Sequence, residues 1–172
     1  MNLTKAQIKI LKDIADNERA VKERMNRLTD NCGIHKSGDY YIVTDEIICF
    51  FIKEPIEEIK MSDDFDLAYN LYKENFVKDA KSYLSTFIAE EDIKNVRSAG
   101  TKPVFLKAGA SSNDCKFDSY YLNKATRFMG KNSICFIAPV SAFETPKPCF
   151  FMPNNWTEET PEYFCMLLGM RK

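Results

Sequence analysis

One histidine in 172 residues is too few for most imidazole chemistry. His35 stands in Cys32-Gly33-Ile34-His35, a Cys-x-x-His spacing that a metal could use. A structural zinc site needs four ligands, and no second pair stands at a suitable distance, so the chain is expected to hold no metal and no cofactor. None of the six cysteines forms a Cys-x-x-Cys pair. Most lie inside apolar runs, where cysteine behaves as a small buried hydrophobe rather than as half of a disulfide framework. There is no Gly-x-x-x-x-Gly-Lys and no Gly-x-Gly-x-x-Gly; Ala108 to Ser112 reads as a turn, not a phosphate cradle. No run approaches the ~20 apolar residues of a membrane span. Met1-Asn2-Leu3-Thr4-Lys5 lacks the apolar core of a signal peptide, so no membrane association and a cytoplasmic location are expected.

What is present is an ordinary globular composition, 45% hydrophobic and 28% charged, in a length that suits one domain. The net charge of −1 conceals segregation. Residues 2–27 hold seven basic residues against four acidic, and residues 119–131 hold Lys124, Arg127 and Lys131 with no acid. Residues 54–98 hold eleven acidic residues against six basic. Glu57-Glu58 and Asp63-Asp64-Asp66 are candidates for a divalent cation or paired carboxylates, but Asp63-x-x-Asp66 lacks the glycine and distal glutamate of a calcium loop, and the stretch reads as solvated linker. Glu90-Glu91-Asp92 reads the same way, or as a helix terminus.

The opening segment is predicted to be helical. Thr4 is a good N-cap, Gln7 completes a capping box, and Leu3 with Ile8 forms a hydrophobic staple. Ile10, Ile14, Val21, Met25 and Leu28 recur near helical period, so the helix extends to about residue 28, with a break allowed near Asp16-Asn17. Lys5, Lys9, Lys12 and Arg19 form a separate stripe. Residues 31–38 read as a loop. Residues 39–53 read as a β-hairpin rich in β-branched and aromatic residues, and Phe65 to Ile88 as a helix. Short strands are expected at 104–106, 115–118, 134–139 and 148–152. Between them a helix from Ser119 is capped by Asp118 or Ser119 and ended by Gly130. Tyr163 to Met170 suits a strand or a short helix, and the strand is preferred.

The order strand, helix, strand, strand, strand from Cys115 onward resembles half of a domain of the bacterial DNA polymerase III beta subunit family, the sliding clamps. The residues that carry the resemblance are Phe117-Asp118-Ser119-Tyr120-Tyr121-Leu122-Asn123-Lys124-Ala125, then Ile134 to Pro139 with Pro148 to Phe151, and Tyr163 to Arg171. The last is similar to a family strand ending in a Met-Pro-Met-Arg-Leu type sequence. The N-terminal half matches the other half of such a domain by element order alone, and residues 54–100 would be an acidic, partly helical insertion. The resemblance implies an α+β, DNA-clamp-like single domain over 1–172, with two helices packed on a mostly antiparallel sheet.

No nucleophile, base or metal set converges in the sequence, so a function by binding, without catalysis, is expected. In this family basic helix faces touch DNA phosphates without reading sequence. By position, Lys5, Lys9, Lys12 and Arg19 on one helix, and Lys124, Arg127 and Lys131 on the other, would face duplex DNA; otherwise they form ordinary solvated faces. A groove for short peptides of replication or repair proteins would include Met166, Leu168, Met170 and Arg171. Here Gly169 replaces the proline and Lys172 the terminal leucine, which leaves those side chains an alternative as core or sheet edge. Six such domains make a ring and this chain has length for one, so a clamp-like domain without a ring is expected. The alternative is a protein–protein interaction module of a bacterium, phage or mobile element with no DNA role. Trp156, near Phe150 and Phe151, could stack nucleic-acid bases or cover the edge of the core.

Overall fold

The computed structural model describes residues 3–16, 33–57, 84–87, 90–98, 102–106, 115–131, 133–137, 148–156 and 161–169. The first helix, α1, is Lys5–Ala15. Three strands follow, β1 (Gly33–Ser37), β2 (Tyr40–Thr44) and β3 (Ile48–Ile52), then β4 (Leu84–Phe87) and helix α2 (Glu90–Ser98). Next come β5 (Val104–Leu106), β6 (Cys115–Phe117) and helix α3 (Ser119–Met129). The chain closes with β7 (Ile134–Ile137), β8 (Pro148–Met152) and β9 (Tyr163–Leu168). The class is α+β.

Among the described residues seven strands form one sheet in the order β1-β2-β3-β9-β8-β7-β4, antiparallel at every pairing. Strands β5 and β6 form a separate antiparallel pair. The order contains a repeat. Helix α1 precedes the meander β1-β2-β3, and α3 precedes the meander β7-β8-β9. The two meanders join through their third strands, with Phe50 opposite Cys165. The helices lie side by side and antiparallel: Gln7 near the start of α1 meets Phe128 near the end of α3, and Asp13 further along α1 meets Lys124. A two-fold axis between β3 and β9 would exchange the halves. Strand β4, added outside β7, has no counterpart beside β1 among the described residues.

Both faces of the sheet are apolar, which explains why its strands read as unbroken hydrophobic runs rather than alternating ones. One cross-strand row, Val43-Phe50-Cys165-Phe151-Cys135, shares a core with Ile10, Leu11 and Ile14 of α1 and with Tyr121, Leu122, Ala125 and Phe128 of α3. The opposite face carries Tyr40, Ile42, Phe51, Phe164, Phe150 and Met166, all buried. There Phe51 stacks on Phe164 at 4.2 Å between ring centroids, and Tyr40 sets its edge against both. The Tyr40 hydroxyl donates to the Pro161 carbonyl at 2.6 Å, meeting the requirement that a buried phenol find a partner.

Helix α1 stops at Ala15, at the break allowed near Asp16-Asn17, where Asp16 caps it with its N–H bonded to the Lys12 and Ile14 carbonyls; the continuation to residue 28 lies outside the described residues. Two sequence expectations are corrected. The expected loop at 31–38 contains β1. Its composition, Gly-Ile-His-Lys-Ser, has little strand propensity, and the edge of β2 supplies the pairing instead. Gly38 makes the link to β2 with φ +57°, the positive value a two-residue hairpin turn needs at its first position. Second, the end of the expected helix at 65–88 is strand β4, paired with β7 through Leu84 to Phe87; residues 65–83 lie outside the described residues. The acidic segment is therefore no simple appendage: β4 extends the main sheet, and Ile93 and Val96 of α2 join the helix-side core.

The β2–β3 hairpin turns on two side chains. Asp45, buried, accepts from the N–H groups of Ile47 (3.1 Å) and Ile48 (3.2 Å). The Thr44 hydroxyl donates to the Ile48 carbonyl at 2.9 Å and accepts from the Glu46 N–H. Asp45→Ala strands two amide donors, one of them in the core, and is expected to cost about 2–3 kcal/mol by urea unfolding. A loss under about 0.5 kcal/mol would show that water replaces the carboxylate.

Candidate nucleic-acid interface

The capping box places the first candidate residues. Thr4 Oγ1 accepts from the Gln7 N–H at 3.2 Å, and Gln7 Oε1 accepts from the Thr4 N–H at 3.0 Å. The same glutamine donates through Nε2 to the Phe128 carbonyl at 3.0 Å, so one residue both starts α1 and ties it to α3. That bond fixes the rotation of α1. Ile10, Leu11 and Ile14 face the core. At 100° per residue, Lys5, Lys9 and Lys12 fall within an arc of about 60° on the opposite side. All three are exposed, and no carboxylate of the described residues pairs with them. Asp16, also exposed, ends the stripe. Arg19 lies outside the described residues.

On α3 the candidates separate. Arg127 is exposed, and so is Lys131 just past the Gly130 cap. Lys124 is turned between the helices: its ammonium pairs with Asp13 of α1 and lies over the Tyr120 ring, 5.2 Å from the centroid. The side chain is 13% exposed. Desolvated and charge-paired, Lys124 works as an interhelix tie, and that geometry removes it from any outward cationic surface. Nothing in the spacing announced this role, because Asp13 and Lys124 are far apart in sequence and meet only once the helices pack antiparallel.

The expected peptide groove is not assembled by the described residues. Met166, 4% exposed, packs with Phe150 and Phe164 on the sheet face away from the helices. Leu168 is 38% exposed at the end of β9, held by its N–H on the Ile47 carbonyl at 3.0 Å. Met170 and Arg171 lie outside the described residues. Trp156 sets its ring against Phe136 at 5.4 Å, edge to face, at the margin of the second apolar face.

His35 is buried in β1 rather than carried on a loop. Among the described residues no group of three His, Cys, Asp or Glu side chains could hold a metal ion. Cys49, Cys135, Cys149 and Cys165 are buried and form no disulfide. Burial pushes the Cys49 thiol up to about 12, against a lowering contribution from its Thr44 hydrogen bond. Burial also holds the Cys165 thiol well above its ordinary range. Only thiolates attack electrophiles, so Cys49 and Cys165 are expected to resist a thiol reagent at pH 8 for hours in the native protein and to react within minutes in denaturant. Rapid native labelling of Cys49 or Cys165, read by peptide mass, would contradict the packing. Among the described residues no helix is long and apolar enough to cross a membrane.

One feature of this surface had no sequence signal: a polar pocket at the end of α3, lined by residues from three separate segments. No family model, no curated protein and no solved structure matches the chain.

Proposed function

We propose that the chain is a non-catalytic, DNA-clamp-like binding domain, a replication-accessory type of protein whose helical layer meets duplex DNA without reading its sequence. The observation that carries this reading is the internal two-fold arrangement. Two helix-plus-three-strand units share one sheet, and their helices run antiparallel on one face. Such an arrangement turns both helices outward together, and the outward arc of α1 carries Lys5, Lys9 and Lys12. Arg127 and Lys131 extend the cationic set on α3. Charges of one sign spread along two adjacent helices suit a polyanion, since each phosphate contact gains from the release of condensed counterions. Paired Lys124 has no part in it beyond holding the helices in register. Any contact with partner peptides centres on Leu168.

The test is fluorescence anisotropy of a labelled duplex at 50 and 200 mM salt. Binding at low salt that weakens steeply with salt and does not depend on sequence supports the reading. No binding at 50 mM salt overturns it.

A further inference from the structure

A pocket of about 220 Å³ lies where the end of α3, the Pro153–Asn155 turn and the start of β9 come together. That is below the ~300 Å³ at which sites for drug-sized molecules begin, so its occupant is a small group or one part of a larger molecule. Among the described residues the polar lining is Lys131, Ser133, Asn154, Asn155 and Tyr163, with no carboxylate among them. Lys131, Asn154 and Asn155 are exposed. Ser133 is buried and donates its hydroxyl hydrogen to the Gly130 carbonyl at 2.9 Å. The remaining groups offer one ammonium, two carboxamide N–H₂ groups and one phenol. Each of these can donate, the carboxamides and the phenol can also accept, and among the described residues the lining carries a single positive charge and no negative one.

A helix C-terminus carries about half a negative charge and would oppose an anion. Here that charge is largely spoken for. The Thr126 carbonyl accepts from the Gly130 N–H at 2.9 Å, the Phe128 carbonyl from Gln7, and the Gly130 carbonyl from Ser133. The unit charge of Lys131 therefore exceeds what is left of the helix end. We propose that this pocket binds a phosphate group, with Lys131 as counter-charge and the Asn154 and Asn155 carboxamides as donors to its oxygens. The chemistry is shared by free inorganic phosphate and by a phosphodiester of a nucleic acid. It shares Lys131 with the DNA reading, whose main support is Lys5, Lys9 and Lys12 on α1.

The experiment follows the side-chain amide signals of Asn154 and Asn155 and the backbone amide of Lys131 by nitrogen-edited NMR. Inorganic phosphate is added at constant ionic strength, with chloride as the balancing anion. Saturable shifts at these three positions are expected at millimolar phosphate, reduced at least fivefold in Lys131→Ala and unchanged in Lys5→Ala. A short duplex added to a second sample distinguishes the source: shifts of the same signals assign a phosphodiester, and shifts with inorganic phosphate alone assign the free ion. The proposal is overturned if neither probe shifts them. It is also overturned if the shifts persist in Lys131→Ala, or if they are matched around Lys5, Lys9 and Lys12. Duplex binding that moves only the α1 signals, with no shift at the pocket from inorganic phosphate, overturns the pocket and leaves the DNA reading intact.

Discussion

Replacing Lys5, Lys9 and Lys12 together by glutamate is expected to weaken duplex binding by two to three orders of magnitude at about 0.1 M salt. The estimate follows from counterion release, in which each phosphate contact contributes about 0.9 to the slope of log affinity against log salt. Five exposed cations, Lys5, Lys9, Lys12, Arg127 and Lys131, set an upper slope of about −4.5. Removing three contacts leaves about −1.8 and, near 0.1 M salt, costs close to 2.7 decades. Reversing the charges adds repulsion. Because the three lysines lie opposite the buried face of α1, thermal stability should change little, as expected for surface substitutions. Anisotropy titrations of parent and variant across a salt series supply both numbers. An unchanged slope in the variant would remove α1 from the interface and with it the main support for a DNA role. Lys124→Ala provides a contrasting result. It leaves Asp13, itself only 18% exposed as a side chain, without its cation, so it should lower stability more than it changes the salt slope.

The sequence was most informative where local chemistry and tertiary structure agree. Thr4 and Gln7 marked the start of α1 because a capping box is a local device, and it is found intact. Asp118 and Gly130 bounded α3 for the same reason. The run Ile47 to Ile52 could only be a buried strand. At Tyr163 to Leu168, β-branched residues are missing and helix and strand were close to equal locally; pairing with β3 and β8 decides it. Strand β1 was missed because its residues gain their conformation from a neighbour, although Gly38-Asp39 before Tyr40 was a usable hairpin signal. Strand β4 was missed because Leu84 and Phe87, three apart, satisfy helical spacing as well as they satisfy an edge strand. The candidate interface divided similarly. Exposure of Lys5, Lys9 and Lys12 was legible from periodicity, since the apolar positions fixed the opposite face. The capture of Lys124 by Asp13 and the convergence of Lys131, Asn154 and Tyr163 on one pocket were not, because both depend on how distant segments pack.

The largest loss of stability is expected at the seam between the two halves. Phe50 is fully buried, lies opposite Val43 on one side and Cys165 on the other, and sets its ring 4.6 Å from that of Phe128 on α3. It therefore touches the join of the meanders and the helix layer together. Phe50→Ala removes a large apolar side chain at a site pinned by β3–β9 pairing, where collapse around the cavity is restricted. The expected cost is about 3–5 kcal/mol, a large part of the ~5–15 kcal/mol that keeps a domain folded. With a urea dependence near 2 kcal/mol/M, the midpoint should fall by about 1.5–2.5 M. Phe128→Ala should lose a comparable amount, and the double variant should lose less than the sum, by roughly 0.5–1.5 kcal/mol, if the rings interact across the layer. Strict additivity would mean that α3 is held to the sheet by general burial rather than by this pair. The helices carry the exposed lysines and the seam carries the rigidity. Phe50→Ala, assayed while still folded at low temperature, should accordingly retain the salt slope of the parent. A slope lost in the folded variant would mean that the cations act only when this seam holds both helices in register.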